Sequence, residues 1–285
     1  LYARVLDFPA ESVPDREEVL GTAAAYAAYS TTLLGEGFCE MAMDVGPIMT
    51  RQQVFERAEG WFTRALQHAT SDDIHNMALV GRARTRLDLG DDAGAVADAI
   101  QVPEGFVVLI ETSRTSPRRE NRHYVETHDA WEWTVAPHYR NLVVDGVPDP
   151  RVPVMDAEQL GQDGTTPLWL ALKYTSHTDP VVLAGWREAQ LIIAEASVGQ
   201  VAVDAINRLR ATHGLPLFAS TDPQEIEAQV TEERRRELYL EGQRLGDMLR
   251  LGIPFPTGTT HKGEPYGPIT CIPLPTSERT ANPNL

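Results

Sequence analysis

The stretch "EERRRELYLEGQRLGDMLR", residues 232–250, places ten charged side chains in nineteen positions before the chain reaches Gly252. Three readings compete for it: a catalytic cluster, a nucleic-acid patch or a structural element. On a continuous helix, Glu233, Glu237 and Glu241 form one ridge beside a second made by Arg236, Leu240 and Arg244, so opposite charges three and four residues apart meet repeatedly. Leu238, Leu245, Met248 and Leu249 add an apolar stripe. Gly242 and Gly246 lie one turn apart, and each costs a helix about 1 kcal/mol unless another backbone packs against it. Each acid has an arginine neighbour that keeps it ionised and occupied, which disfavours a catalytic carboxylate pair. The pattern predicts an interhelical salt-bridge helix carried by Glu233, Arg236, Glu237, Glu241 and Arg244.

The rest of the composition agrees with a folded, non-nucleic-acid-binding chain. At 285 residues and 42% hydrophobic content, the protein is long enough to bury a full core. A net charge of -16 argues against binding to a phosphate backbone, which needs concentrated positive charge to release counterions. The longest uncharged helical run, residues 19–35, is too short and too rich in small residues to span a membrane. The chain opens at Leu1 with neither a basic nor an apolar leader segment, which fits a processed or incomplete product. Cys39 and Cys271 are too far apart in sequence for a zinc motif, leaving buried free thiols or one long-range disulfide. His123 and His128 read as loop decoration. With no calcium loop, P-loop, HExxH, GxGxxG or GxSxG in the sequence, no metal and no cofactor are expected.

Helical periodicity recurs along the chain. Val19, Ala23, Tyr26, Ser30 and Leu33 share one face of a helix over residues 17–37, "QQVFERAEGWFTRALQHA" (52–69) forms a second, and residues 76–89 form a third. "LGDDAGAVADAI" then supplies a glycine-marked turn and a fourth helix. Phe62, Ala65 and Leu66 recur 34 residues later as Val96, Ala99 and Ile100, the tetratricopeptide period, while Ala83 and Ala95 have the spacing at which two such helices approach closely. "REAQLIIAEASVGQVAVDAINRLR" (187–210) repeats the helix, turn and helix design. The fold class is therefore mainly α: tetratricopeptide-like helical hairpins in a single domain over residues 1–285. Its parts are a helical region (17–102), an irregular and partly β insertion (103–180) containing the strand "FVVLIET" (106–112), a second helical region (181–252), and a proline-rich C-terminal extension (253–285).

Loops on a rigid helical frame are where binding groups collect. "YVETHDAWEWTVAPHYRN" (124–141) concentrates flat aromatics with amide, acid and guanidinium groups, the combination that stacks on sugar faces and hydrogen-bonds their edges. Trp131 and Trp133, alternating along an extended segment, point to one face. His138, Tyr139, Trp169 and Tyr174 complete the candidate ligand-binding set. Anchoring of the insertion onto the helices is the competing role for these aromatics.

"WREAQLIIAEA", "AINRLRATHGLP", "TEERRRELYLEGQRLGDMLRLG" and the closing "CIPLPTSERTANPNL" resemble, in order, the C-terminal blocks of the SusD/RagB family of nutrient-binding proteins. "DPRV" (149–152) and "KY" (173–174) resemble family features lying between the helical halves. The resemblance is clear over about residues 187–285 and weaker from residue 17 onward. It implies a non-enzymatic, lipid-anchored protein at the outer-membrane cell surface that captures oligosaccharides or other nutrients. Its implied partner is a SusC-type TonB-dependent transporter, with no direct membrane contact beyond an anchor that no residue of this chain supplies. The chain is shorter than typical members and lacks their lipid-bearing cysteine. Two alternatives belong to other classes. One is a tetratricopeptide adaptor that binds peptide and has no transport role; the other is a glycoside hydrolase, which needs two carboxylates about 5 or 6.5–9.5 Å apart in an open cleft.

Overall fold

A computed structural model describes residues 1–284; Leu285, the last residue of the closing motif, lies outside the described residues. In chain order the helices are α1 (Tyr2–Asp7), α2 (Arg16–Gly37), α3 (Arg51–His68), α4 (Asp72–Leu89), α5 (Asp92–Ala99), α6 (Arg122–Tyr124), α7 (Trp186–Glu195), α8 (Gln200–Thr212), α9 (Pro223–Glu237), α10 (Arg244–Arg250) and α11 (Thr276–Ala281). The strands are β1 (Glu40–Ala42), β2 (Ile48–Thr50), β3 (Val107–Ile110), β4 (Val143–Val144), β5 (Val147–Pro148), β6 (Val154–Leu160), β7 (Pro167–Ala171) and β8 (Val181–Gly185). They pair only as two-stranded antiparallel ribbons: β1 with β2, β3 with β8, β4 with β5 and β6 with β7. The chain is mainly α with tetratricopeptide-like hairpins. It divides into two compact units, one made of Leu1–Pro103 together with the chain from Gln243 onward, the other of Glu104–Gly242.

In the first unit, successive helices α2 to α5 pack as hairpins whose ends are fixed by local chemistry. Thr50 and Gln53 form a capping box at the start of α3, Ser71 caps α4, and Asp91 accepts from the Gly94 amide at the start of α5. Small residues set the spacing. A Cβ on Gly35 would fall 2.6 Å from the Phe55 ring, and one on Gly81 would fall 2.2 Å from Phe62. Helix α2 turns a different face inward from the one its spacing predicts. Leu20, Ala24, Ala28 and Tyr29 are buried, while Tyr26, Ser30 and Leu33 of the predicted face are exposed. With so many Ala, Gly and Thr residues, the two faces differ little in hydrophobicity, and the face that permits close approach goes inside.

The C-terminal extension is fastened to this unit. Cys39 and Cys271 form a disulfide, so the long-range pairing, not the pair of free thiols, is what the fold adopts. Beside it, the Cys39 amide donates to the Ile272 carbonyl at 3.0 Å and the Ile272 amide to the Gly37 carbonyl at 2.9 Å. Asn282 and Asn284 of the closing motif donate through their side-chain amides to the Gly46 and Val45 carbonyls, at 2.8 and 2.7 Å, and so hold the 44–46 turn. A buried charge group joins α2, α4 and α10. Arg84 grips Glu36 through two 2.6 Å bonds, Arg250 donates to Asp88 at 2.9 Å, and Gly246 packs against the Glu36 side chain.

The 232–250 stretch is not one helix. Helix α9 ends at Glu237, a turn follows, and α10 begins at Arg244 in the other unit. Leu240 and Gly242 take left-handed backbone angles (φ 59° and 81°), and a Cβ on Gly242 would meet nothing, so this glycine serves a turn and not close packing. Glu241 and Arg244 therefore do not share a ridge with Glu237, and local charge spacing alone does not account for the pairing.

Two outcomes are expected. Under denaturing, non-reducing conditions a thiol probe labels no cysteine, and reduction exposes two. Burial, reinforced by the Glu36 charge, pushes the Asp88 carboxyl up to about 7 despite Arg250 and Arg84. The folded state therefore holds a proton that the unfolded chain releases near pH 4, so stability declines as pH rises from about 4 to 7. Urea titrations across that range should show this decline in the parent protein and a flatter profile in Asp88→Asn.

Candidate ligand-binding site

The second unit is organised by helix α9, which Pro223 starts and Asp222 caps with a 2.8 Å bond to the Gln224 amide. Its acids and arginines reach to other elements more than to each other. Arg151, from the "DPRV" segment, has a fully buried guanidinium. Nε and Nη2 donate to the two oxygens of Asp149 at 2.9 and 2.8 Å, and Nη1 donates to Glu233. The other Glu233 oxygen accepts from Arg210 of α8 and from Gln229, each at 2.8 Å. Glu237 is held by His213 at 2.9 Å and Arg187 at 3.3 Å, and Glu241 accepts from Lys173 of the "KY" pair at 2.6 Å. Glu232 pairs within the helix, with Arg235 and Arg236. Burial alone would raise the Asp149 carboxyl, but hydrogen bonds and charge from Arg151 and Arg236 bring it down to about 2. Arg244, on α10, takes no part; its Nη1 is buried without a hydrogen-bond partner.

These charges fix the loop that carries the candidate aromatics. Arg236 Nη1 donates to the Val143 carbonyl at 3.0 Å, at the base of the β4–β5 hairpin, whose Asp145-Gly146 turn has both φ angles positive. Arg235 Nη1 donates to the His138 carbonyl at 2.8 Å, and its guanidinium lies 4.7 Å from the Tyr139 ring centre. Tyr139 in turn meets Tyr239 at 5.1 Å. Arg140 donates from Nε to the Val135 carbonyl at 2.8 Å and covers Trp169 at 4.9 Å. Tyr139 and Trp169 thus belong to an apolar cluster with Val135, Val152, Ala171 and Tyr239.

The six candidates fall into three environments. Trp131 and Trp133 are 44% and 48% exposed, and His138 is exposed beside them in sequence. Tyr139 and Trp169 are half-buried. Tyr174 is buried; its ring stacks on His123 at 5.5 Å, and its hydroxyl points to the Leu240 carbonyl at 3.4 Å. The segment bearing the two exposed tryptophans is not extended. It follows a π-helical turn, Val125–Asp129, and Trp131 has φ 54°; the amides of Glu132 and Trp133 both donate to the Glu126 carbonyl at 3.0 and 3.2 Å. Simple alternation therefore does not aim these side chains. Trp131 Nε1 donates to the His128 carbonyl at 2.8 Å, and the Trp133 ring meets His123 edge-on at 6.0 Å. Burial and the nearby Lys173 charge lower the His123 pKa, which favours a neutral imidazole beside Trp133. The site offers two anchored indole faces with polar groups at their edges.

Sequence reasoning did not single out a cavity of about 300 Å³ in this unit, whose lining includes Phe106, Val107, Val182, Trp186, Leu238 and Glu241. These residues come from three distant stretches, and nothing in their spacing announces that they converge. Among the described residues no three His, Cys, Asp or Glu side chains gather as a metal site, and no helix is long and apolar enough to cross a membrane.

The SusD family model matches residues 188–285. No curated protein matches the chain. Among solved structures, a SusD-like carbohydrate-binding protein from Bacteroides vulgatus is similar at 16% identity and TM-score 0.72, covering 96% of this chain and 78% of that one. A SusD-like carbohydrate-binding protein from Bacteroides fragilis is similar at 15% identity and TM-score 0.68, covering 95% and 80%. Surface glycan-binding protein A from Bacteroides uniformis is similar at 15% identity and TM-score 0.65, covering 99% and 80%. At these identities the structural likenesses speak for the fold.

Replacing Arg151 by Ala leaves Asp149 and Glu233 buried without their shared cation. Urea unfolding should show a loss of roughly 3–5 kcal/mol. A loss below about 1 kcal/mol, the scale of an exposed pair, would contradict the buried network.

Proposed function

We propose that this chain, a member of the SusD/RagB family, binds oligosaccharide at the cell surface through its exposed tryptophan loop and delivers it to a SusC-type TonB-dependent outer-membrane transporter. The carrying observation is the pairing of exposure with anchorage. Trp131 and Trp133 keep nearly half their surface open, yet neighbouring segments are tied down by hydrogen bonds from Thr134, Arg140 and Arg235. Large indole faces held in place lose little conformational entropy when they stack on a sugar ring.

The names of the similar carbohydrate- and glycan-binding structures support this reading, as does the family match over residues 188–285. The reading is of a binder, and capture followed by hand-over is the work assigned to it. In this reading His138 supplies hydrogen bonds at the rim, and Trp169 and Tyr139 hold the loop from beneath. The family match over residues 188–285 supports the transporter partner and the outer-membrane location. A lipid anchor, with no residue of this chain assigned to it, would place the protein there.

The test is a glycan array followed by calorimetry with the strongest glycan. Trp131→Ala and Trp133→Ala should each weaken binding roughly two- to tenfold, the scale of one lost aromatic contact, with unfolding midpoints preserved. Unchanged affinity in both variants, or capture of peptides in place of glycans, would overturn the assignment of the loop. Isolation from membranes without any large barrel partner would overturn the delivery step.

A further inference from the structure

We infer that the cavity framed by the start of α7, the β3–β8 ribbon and the turn after α9 is a second binding site, taking a monosaccharide-sized ligand that carries an ammonium group, such as a free hexosamine. At about 300 Å³ it is at the small end of natural ligand pockets. One wall is apolar, made by Phe106, Val107, Val182 and Leu238, and can cover the non-polar face of a sugar ring.

The polar groups choose the charge of the ligand. Glu241 lines the cavity with its side chain nine-tenths buried. Lys173 donates to its Oε1 and to the Tyr239 carbonyl, and among the described residues no donor meets Oε2. Glu104, at the exposed rim, has no ion-pair partner among the described residues. Among the described residues of the lining Arg187 is the one cation, and it is engaged with Glu237 at 3.3 Å. An anion would meet these carboxylates and be repelled. A neutral sugar would offer Oε2 only an uncharged hydroxyl donor. An ammonium group offers donors to Oε2 and balances the Glu241 charge in a site partly shielded from water. Burial, reinforced by Glu237, raises the Glu241 pKa despite Lys173 and Arg187.

The site is distinct from the tryptophan loop and does not depend on it. Calorimetry on the full chain with glucosamine, glucose and N-acetylglucosamine separates charge from shape. Glucosamine should bind saturably at one site, and the two neutral sugars at least about tenfold more weakly, as for the loss of one charged hydrogen bond. Glu241→Gln should bring glucosamine down to the level of the neutral sugars. Val107→Trp, at a half-exposed position in the cavity wall, should block all three, with circular dichroism and melting curves confirming that both variants fold. Trp131→Ala should leave glucosamine binding unchanged, which separates this site from the oligosaccharide site. Absence of saturable glucosamine binding, equal binding of N-acetylglucosamine, or undiminished affinity in both cavity variants would overturn the inference.

Discussion

Arg151 is the constraint on which the second unit depends. A guanidinium withdrawn from water is costly, by several kcal/mol even after relaxation, unless its donors meet matching acceptors. Here Asp149 takes two of them in a forked pair and Glu233 a third, while Glu233 is shared with Arg210 of α8. No member can move without stranding another. The network joins a loop to two helices and leaves the arrangement little freedom.

That rigidity reaches the surface through the same helix. The turn of α9 that presents Glu233 also presents Arg235 and Arg236, whose outer donors hold the His138 and Val143 carbonyls. Charge buried at the centre thereby becomes a fixed path for the backbone that carries the aromatics. Tyr139, Tyr239 and Trp169 pack beneath that path, and the two exposed indoles lie on the same excursion. A candidate binding surface on irregular backbone gains preorganisation in this way, with less ordering left to the moment of contact.

Much of the helical frame was legible in the sequence, because 3.6-residue periodicity, capping residues and glycine turns are local signals. The inward face of α2 was not, since small residues on both sides gave the two faces nearly equal hydrophobicity. The end of α9 was also hidden: the alternation of acids and bases continues through Leu240 and Gly242 although the helix does not. The stretch belonged to the fold, but its partners lay far away in sequence. Asp149, Arg151, Arg210 and His213 come from segments whose convergence only tertiary structure reveals. Aromatic composition located the candidate loop, yet alternation misjudged its geometry, because a π-helical turn and a left-handed Trp131 redirect the chain. The cavity beside Trp186 left no sequence signature at all.

The central proposal is a division of labour: the charged helix holds the unit together, and the aromatic loop meets the oligosaccharide. Hydrogen–deuterium exchange with and without a bound oligosaccharide measures both halves at once. Amides of Val230–Arg236 should exchange only through opening of the whole unit and be indifferent to ligand, while those of residues 131–140 slow on binding. Fast exchange along α9, or ligand protection found there and absent from the tryptophan loop, would contradict the account.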